Sequence, residues 1–217
     1  MSATVRFLLD FISPYAYIAW TQIHAVAERH HAAVEPVPVL FAGLLNAHGQ
    51  KGPAEIPAKR IYAFKDALRH AHRLRIPLIP PPTHPFNPLL ALRAASLELP
   101  EDRRRALIDA LFRATWGGGG GVQGAAEVAA AARSVGLDGE DIVAMASTEA
   151  SKARLRRQTD DAIAAGVFGV PTMLVGAELF WGFDSFGHLE AHLGGEDPFD
   201  YSLLERWATI GASASRI

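Results

Sequence analysis

Residues 10–17 read DFISPYAY. The hydrophobic run TVRFLLDF, 4–11, precedes the Ser-Pro pair, and YAYIAWTQIHAVAERHH, 15–31, follows it with apolar residues at helical spacing. The first segment reads as a buried strand and the second as an amphipathic helix. Pro14 suits the first turn of that helix, where its missing N–H costs nothing. Ser13 therefore stands at or beside the N-cap, on a strand-to-helix corner. A helix N-terminus carries unpaired N–H groups and partial positive charge, so it suits an anion. A hydroxyl there can cap the helix or donate to the anion. The residues alone leave both readings open.

Working outward, VEPVPVLF (34–41) reads as a second strand, and its two prolines suggest an edge or irregular pairing. From about residue 60 to 155 the pattern is helical: AKRIYAFKDALRHAHRLR, LLALRAASLEL, EDRRRALIDALFRATW, AAEVAAAARSVG and GEDIVAMAS. Loops rich in Pro and Gly, IPLIPPPTHPFNP (76–88) and GGGGG (117–121), separate them. After one more helix, TEASKARLRRQTDDAIAAG, strand signals return in TMLVG and ELFWG, which read as a hairpin turning near Gly176-Ala177. A short helix is expected from about Asp184. Between helix and hairpin lies GVFGVPT (166–172), where Val170-Pro171 suits a cis peptide bond. The order is βαβ, a long helical block, then helix–ββ–helix. It predicts an α/β, thioredoxin-like fold with a large all-helical insertion: 1–60 and 156–200 form the discontinuous thioredoxin-like domain, 61–155 the insertion, and 201–217 a C-terminal extension.

Composition narrows the function. A net charge of −2 over 217 residues gives no basic balance for nucleic acid or an anionic membrane. No segment approaches the length of a membrane span. The first residues, MSATVRFLLDFISPY, lack a basic leader and a small-residue cleavage site, so no secretory signal is expected and a cytoplasmic setting is the default. Zero cysteines exclude disulfides, thiolate metal sites and cysteine nucleophiles. His24, Glu28 and His31 share a helical face, and His70 and His72 are close in sequence, but none forms a zinc pattern such as HExxH, and no metal is expected.

Taken together, LDFISPYAY, GVFGVPT and ELFWGFDSFGHLE resemble the 2-hydroxychromene-2-carboxylate isomerases, relatives of kappa-class glutathione transferases and DsbA-type oxidoreductases. The resemblance spans about residues 4 to 194. Where the oxidoreductases carry C-x-x-C, this chain has Ser13 and Ala16, so dithiol exchange is impossible. The resemblance implies that the thiol is borrowed from glutathione, with Ser13 as the catalytic residue hydrogen-bonding its sulfur. It further implies that the backbone of Val170, before Pro171, pairs with the cysteinyl part. Trp181, Gly182, Phe183 and Asp184 hold the γ-glutamyl end, with Asp184 on its ammonium. In kappa enzymes a serine commonly stands where this chain has Phe183. On the substrate side the matching positions are Gln50, Lys59, Arg60 and Asn87; on the residues alone, Lys59 and Arg60 also read as a solvated basic face and Asn87 as a turn cap. The implied reaction is glutathione-dependent cis–trans isomerisation of 2-hydroxychromene-2-carboxylate, in naphthalene catabolism, by a homodimer acting on a small aromatic substrate. The alternatives are a kappa-type glutathione transferase and a non-catalytic peptide-binding module using the Val170 edge.

Overall fold

The structure is a computed structural model, and it describes residues 3–197 and 200–213. The expected segments reach beyond this at both ends and at 198–199, which lie outside the described residues. The chain runs β1 (Thr4–Leu9), α1 (Pro14–Arg29), β2 (Ala33–Pro38), α2 (Phe41–Ala47), α3 (Pro57–Leu74), α4 (Leu89–Ala95), α5 (Glu101–Trp116), α6 (Ala125–Arg133), α7 (Gly139–Ala146), α8 (Glu149–Ala164), β3 (Thr172–Val175), β4 (Glu178–Trp181), α9 (Phe186–Leu193) and α10 (Tyr201–Ala208). Short 3-10 turns cover Pro53–Glu55 and Phe183–Ser185.

The four strands form one sheet in the order β2-β1-β3-β4. β1 and β2 are parallel; β3 is antiparallel to both β1 and β4. β2 lies at the edge, which explains how it tolerates Pro36 and Pro38: a residue without an N–H loses nothing on a side with no partner strand. This is the thioredoxin-like α/β arrangement, with the helices α2 to α8 running between β2 and β3 in the chain.

β1 is covered on both faces, so it reads as a near-continuous apolar run. Val5, Phe7 and Leu9 join a cluster with Ile18, Trp20 and Phe112. Leu8 points the other way, to Val37, Val39, Leu44, Val167, Val170 and Leu174. Aromatic rings tie the layers together: Phe7 of β1 and Trp20 of α1 lie 5.5 Å apart, and Phe11, just after β1, meets Phe112 of α5 edge-on at 4.7 Å.

Two elements escape the sequence reading. α2 is short, and its apolar residues continue the β2 run, so periodicity does not separate them. α10 follows the segment at 198–199. Strand β1 ends at Leu9 rather than Phe11, because Asp10 leaves the ladder to bond neighbouring loops. The final helix of the motif region starts at Phe186, after the 3-10 turn that contains Asp184.

Candidate active site

Ser13 is the N-cap of α1. Its Oγ accepts the Ala16 N–H at 3.1 Å and donates to the Val170 carbonyl at 3.4 Å, with the residue 9% exposed. The second of these bonds is long and weak, but it joins the two corners that lie 157 residues apart. No acidic residue occupies the first turn of α1, so the positive end of that helix is not neutralised from its own first turn. The Val170–Pro171 peptide is cis, as expected. Among the described residues the Val170 N–H has no backbone acceptor, which leaves it free for an extended peptide.

The loop after β4 is drawn to the same place. Gly182 N–H donates to the Pro171 carbonyl at 2.9 Å. Gly182 has φ +88°, and a Cβ there would run into the Asp184 carboxylate, so glycine is required. The Trp181 ring lies over Gly169 and meets Phe168 edge-on at 5.1 Å. Trp181 and Asp184 are exposed, while Phe183 is half-buried against His70, at 5.1 Å between ring centres. The structure thus joins Ser13 to Val170 and Gly182 to Pro171, with Trp181, Phe183 and Asp184 on the same loop as Gly182.

The substrate-side residues are placed less uniformly. Arg60, in the first turn of α3, donates to the His84 carbonyl at 3.1 Å. Asn87 Oδ1 accepts the Leu89 N–H at 3.0 Å, so its oxygen is committed to a turn and only its amide NH2 remains to offer a ligand. Lys59 is exposed at the start of α3, and Gln50 is exposed in the loop after α2. That loop packs on α2, where Gly52 lies against Leu45 and Phe41. No hydrogen bond brings Gln50 or Lys59 to Ser13. Two surface hollows on the helical block, one lined by Ser96, Arg104 and Arg154 and one by Glu101, Arg105 and Asp109, include none of these residues. Among the described residues no group of His, Asp and Glu is arranged to hold a metal.

Sequence reasoning missed the groups that brace the corner. Asp10 is buried, and its two oxygens accept the N–H groups of Ile12 at 3.0 Å and Phe41 at 2.9 Å. Burial pushes its pKa from 3.8 to about 7, against those hydrogen bonds. Trp116 Nε1 donates to the Phe11 carbonyl at 2.8 Å, and His84 Nε2 lies 2.9 Å from the Ile12 carbonyl. The Tyr15 hydroxyl donates to Asp66 at 2.9 Å, and Asp66 also faces His70 at 3.3 Å. Burial raises the Tyr15 pKa, with the Asp66 carboxylate adding to it. An acidic residue ending a hydrophobic strand was the one signal in the sequence, at Asp10; the others come from segments far apart in the chain.

Comparison with known proteins fits this geometry. The profile of the DSBA-like thioredoxin domain matches residues 4–194. A 2-hydroxychromene-2-carboxylate isomerase of Pseudomonas sp. (strain C18) is 30% identical over 196 residues, 88% of this chain and 90% of that protein. The chain belongs to the 2-hydroxychromene-2-carboxylate isomerase family. A solved structure of such an isomerase superposes with a TM-score of 0.81 at 26% identity, over 96% of this chain and all of that one. Glutathione S-transferase kappa 2 of Caenorhabditis elegans is 29% identical over 178 residues, 78% of this chain and 79% of that protein. Within the isomerase family's fold, the Ser13 corner, the cis-proline corner and the loop after β4 lie at the same end of the sheet, where β1 and β4 finish and β3 begins. Among the described residues no helix is long and apolar enough to cross a membrane.

Proposed function

We propose that this protein is a glutathione-dependent isomerase that interconverts 2-hydroxychromene-2-carboxylate, or a related aromatic enone acid, with its trans-o-hydroxybenzylidenepyruvate form. The observation that carries the reading is the meeting of Ser13 Oγ with the Val170 backbone at a helix N-terminus, in a chain with no cysteine. In this reading the site holds the sulfur anion of a thiol that the chain itself lacks.

The physical task is to turn a cis double bond into a trans one. Rotation is blocked while the π bond persists. A thiolate that adds to the ring-opened enone makes that bond single, rotation follows, and elimination of the thiolate restores the alkene in trans form. Glutathione is released unchanged, so it serves as a cofactor and a covalent catalyst. Its thiol has an ordinary pKa near about 8.5 and reacts as thiolate. In this reading Ser13 donates to the sulfur, and the α1 terminus favours its charge. Val170 pairs with the cysteinyl backbone beside Pro171. Trp181, Gly182 and Phe183 wall the γ-glutamyl end, and Asp184 takes its ammonium. Arg60, Lys59, the Asn87 amide and Gln50 face the enolate and carboxylate of the substrate. The reading carries with it a cytoplasmic homodimer, where glutathione is at hand.

The kappa transferase relative favours a second reading, in which glutathione is consumed. One experiment separates these. The protein is incubated with glutathione and 2-hydroxychromene-2-carboxylate, and both the ultraviolet spectrum of the trans product and the remaining free thiol are followed. Isomerisation with constant thiol supports the proposal. Loss of thiol into a conjugate supports the transferase, and the absence of both turnover and saturable glutathione binding leaves a peptide-binding module.

A further inference from the structure

His84 lies in the loop between α3 and α4, a position that sequence reading passed over. Its Nε2 is 2.9 Å from the Ile12 carbonyl, one residue before Ser13. A carbonyl only accepts, so Nε2 carries the hydrogen of this bond. Burial, together with the Arg60 guanidinium, holds the imidazole pKa below its usual 6.5, against the pull of the Ile12 carbonyl. At neutral pH the ring is therefore uncharged, and Nδ1 is the nitrogen with the lone pair. Among the described residues Nδ1 makes no hydrogen bond. It is not an orphaned buried atom either: those are His24 Nε2 and Arg93 Nε. Nδ1 thus reaches solvent.

The ring is fixed in place. It meets Trp116 at 5.5 Å and Phe86 at 6.4 Å, both edge-on, and Trp116 is itself bonded to the Phe11 carbonyl. Arg60 grips the His84 carbonyl, and Tyr17 holds the same loop through the Pro77 carbonyl at 2.9 Å. The outcome is a neutral imidazole of set tautomer, tied to the residue before Ser13, with its basic nitrogen unbonded.

Thiolate addition requires an open-chain enone, whereas the substrate is a cyclic hemiketal. Opening it moves one proton. We propose that His84 is the proton carrier of this site, its Nδ1 taking the hydrogen of the hemiketal hydroxyl and handing it to the ring oxygen. The O–H electron pair becomes the second bond of the new carbonyl. The carbon–oxygen bond of the ring breaks, and its pair stays on the phenolate oxygen. The imidazolium then returns the proton to that oxygen, so neither oxidant nor reductant is needed. This role rests on the isomerase reading above, and extends it to the step before thiolate attack.

The test uses His84→Gln, which keeps an amide donor for the Ile12 carbonyl and removes the titrating nitrogen. Steady-state isomerisation is measured against pH beside the wild type, with glutathione affinity by calorimetry and the bound thiol titrated separately by its ultraviolet absorbance. The expected result is a fall in kcat of about 10²–10⁴-fold, unchanged glutathione affinity, and loss of the acid limb that the thiol titration does not account for. Added imidazole should restore part of the rate to His84→Ala. A wild-type rate and profile in His84→Gln would overturn the inference while leaving the isomerase reading standing. A loss confined to glutathione affinity, with no imidazole rescue, would make His84 a brace for Ile12 and overturn it too. A wild type that binds glutathione but does not isomerise the hydroxychromene would remove the reading and the inference together.

Discussion

Ser13 Oγ accepts the Ala16 N–H and sits against the Val170 carbonyl, so its removal has a structural and a chemical consequence that differ in size. As a cap alone, Ser13→Ala costs about 0.5–2 kcal/mol of stability and leaves turnover almost intact. As the donor to the glutathione thiolate, its loss raises the pKa of the bound thiol and slows isomerisation strongly. The thiolate absorbance against pH checks this; a thiol pKa and rate equal to wild type return Ser13 to a cap. Asp184 is argued in the same way. It is exposed, on a loop whose backbone bends through Gly182, and its pairing with an ammonium group would be a charge-assisted contact. Asp184→Ala is expected to weaken glutathione by about 1.5–3 kcal/mol, read by calorimetry. Unchanged affinity would reassign the γ-glutamyl end.

The pentaglycine between α5 and α6 shows what an element boundary demands. The Gly117 N–H bonds back to Arg113 and the Gly121 N–H to Ala114. A Cβ on Gly119 would collide with the Ala114 backbone, and Gly118, at φ +92°, lies against Ile79. The chain turns back on its own helix, and a side chain has no room. Gly119→Ala should destabilise the protein measurably in urea melts. Gly120→Ala, which meets nothing within 4 Å, should stay within about 0.5 kcal/mol of wild type. Equal effects at the two positions would contradict the close approach. On β1, Leu8 fills the second core cluster alone among its strand neighbours, so Leu8→Ala is expected to cost about 2–5 kcal/mol.

At the scale of the whole molecule, two buried titratable groups set opposite pH dependences. Burial raises the Asp10 pKa from 3.8 to about 7, so the folded state keeps a proton that the unfolded chain releases. Its contribution is fully present below 3.8 and is lost as pH rises to about 7. Burial, with Arg105 adding to it, lowers the His24 pKa from 6.5 to about 4, so its contribution is present above 6.5 and lost as pH falls toward about 4. Asp10→Asn should flatten the first trend and His24→Leu the second, in unfolding midpoints followed across that window; slopes identical to wild type would refute the assignment. Much of this protein is legible in the chain itself. The apolar run 4–11, Pro14, the paired prolines of β2 and the motifs at 166–172 and 178–190 carry local information: periodicity, proline geometry and glycine turns act over a few residues. From them come the thioredoxin-like order, the Ser13 cap and the Val170–Pro171 corner. What they do not carry is where distant carbonyls find their donors. Asp10 reaching Phe41, Trp116 reaching Phe11, His84 reaching Ile12 and Ser13 reaching Val170 are contacts between segments up to 157 residues apart. Backbone groups released at the end of β1 are shielded from water by the insertion, so they must be paired from whatever element folds over them, and only the packing of the whole chain decides which side chain that is.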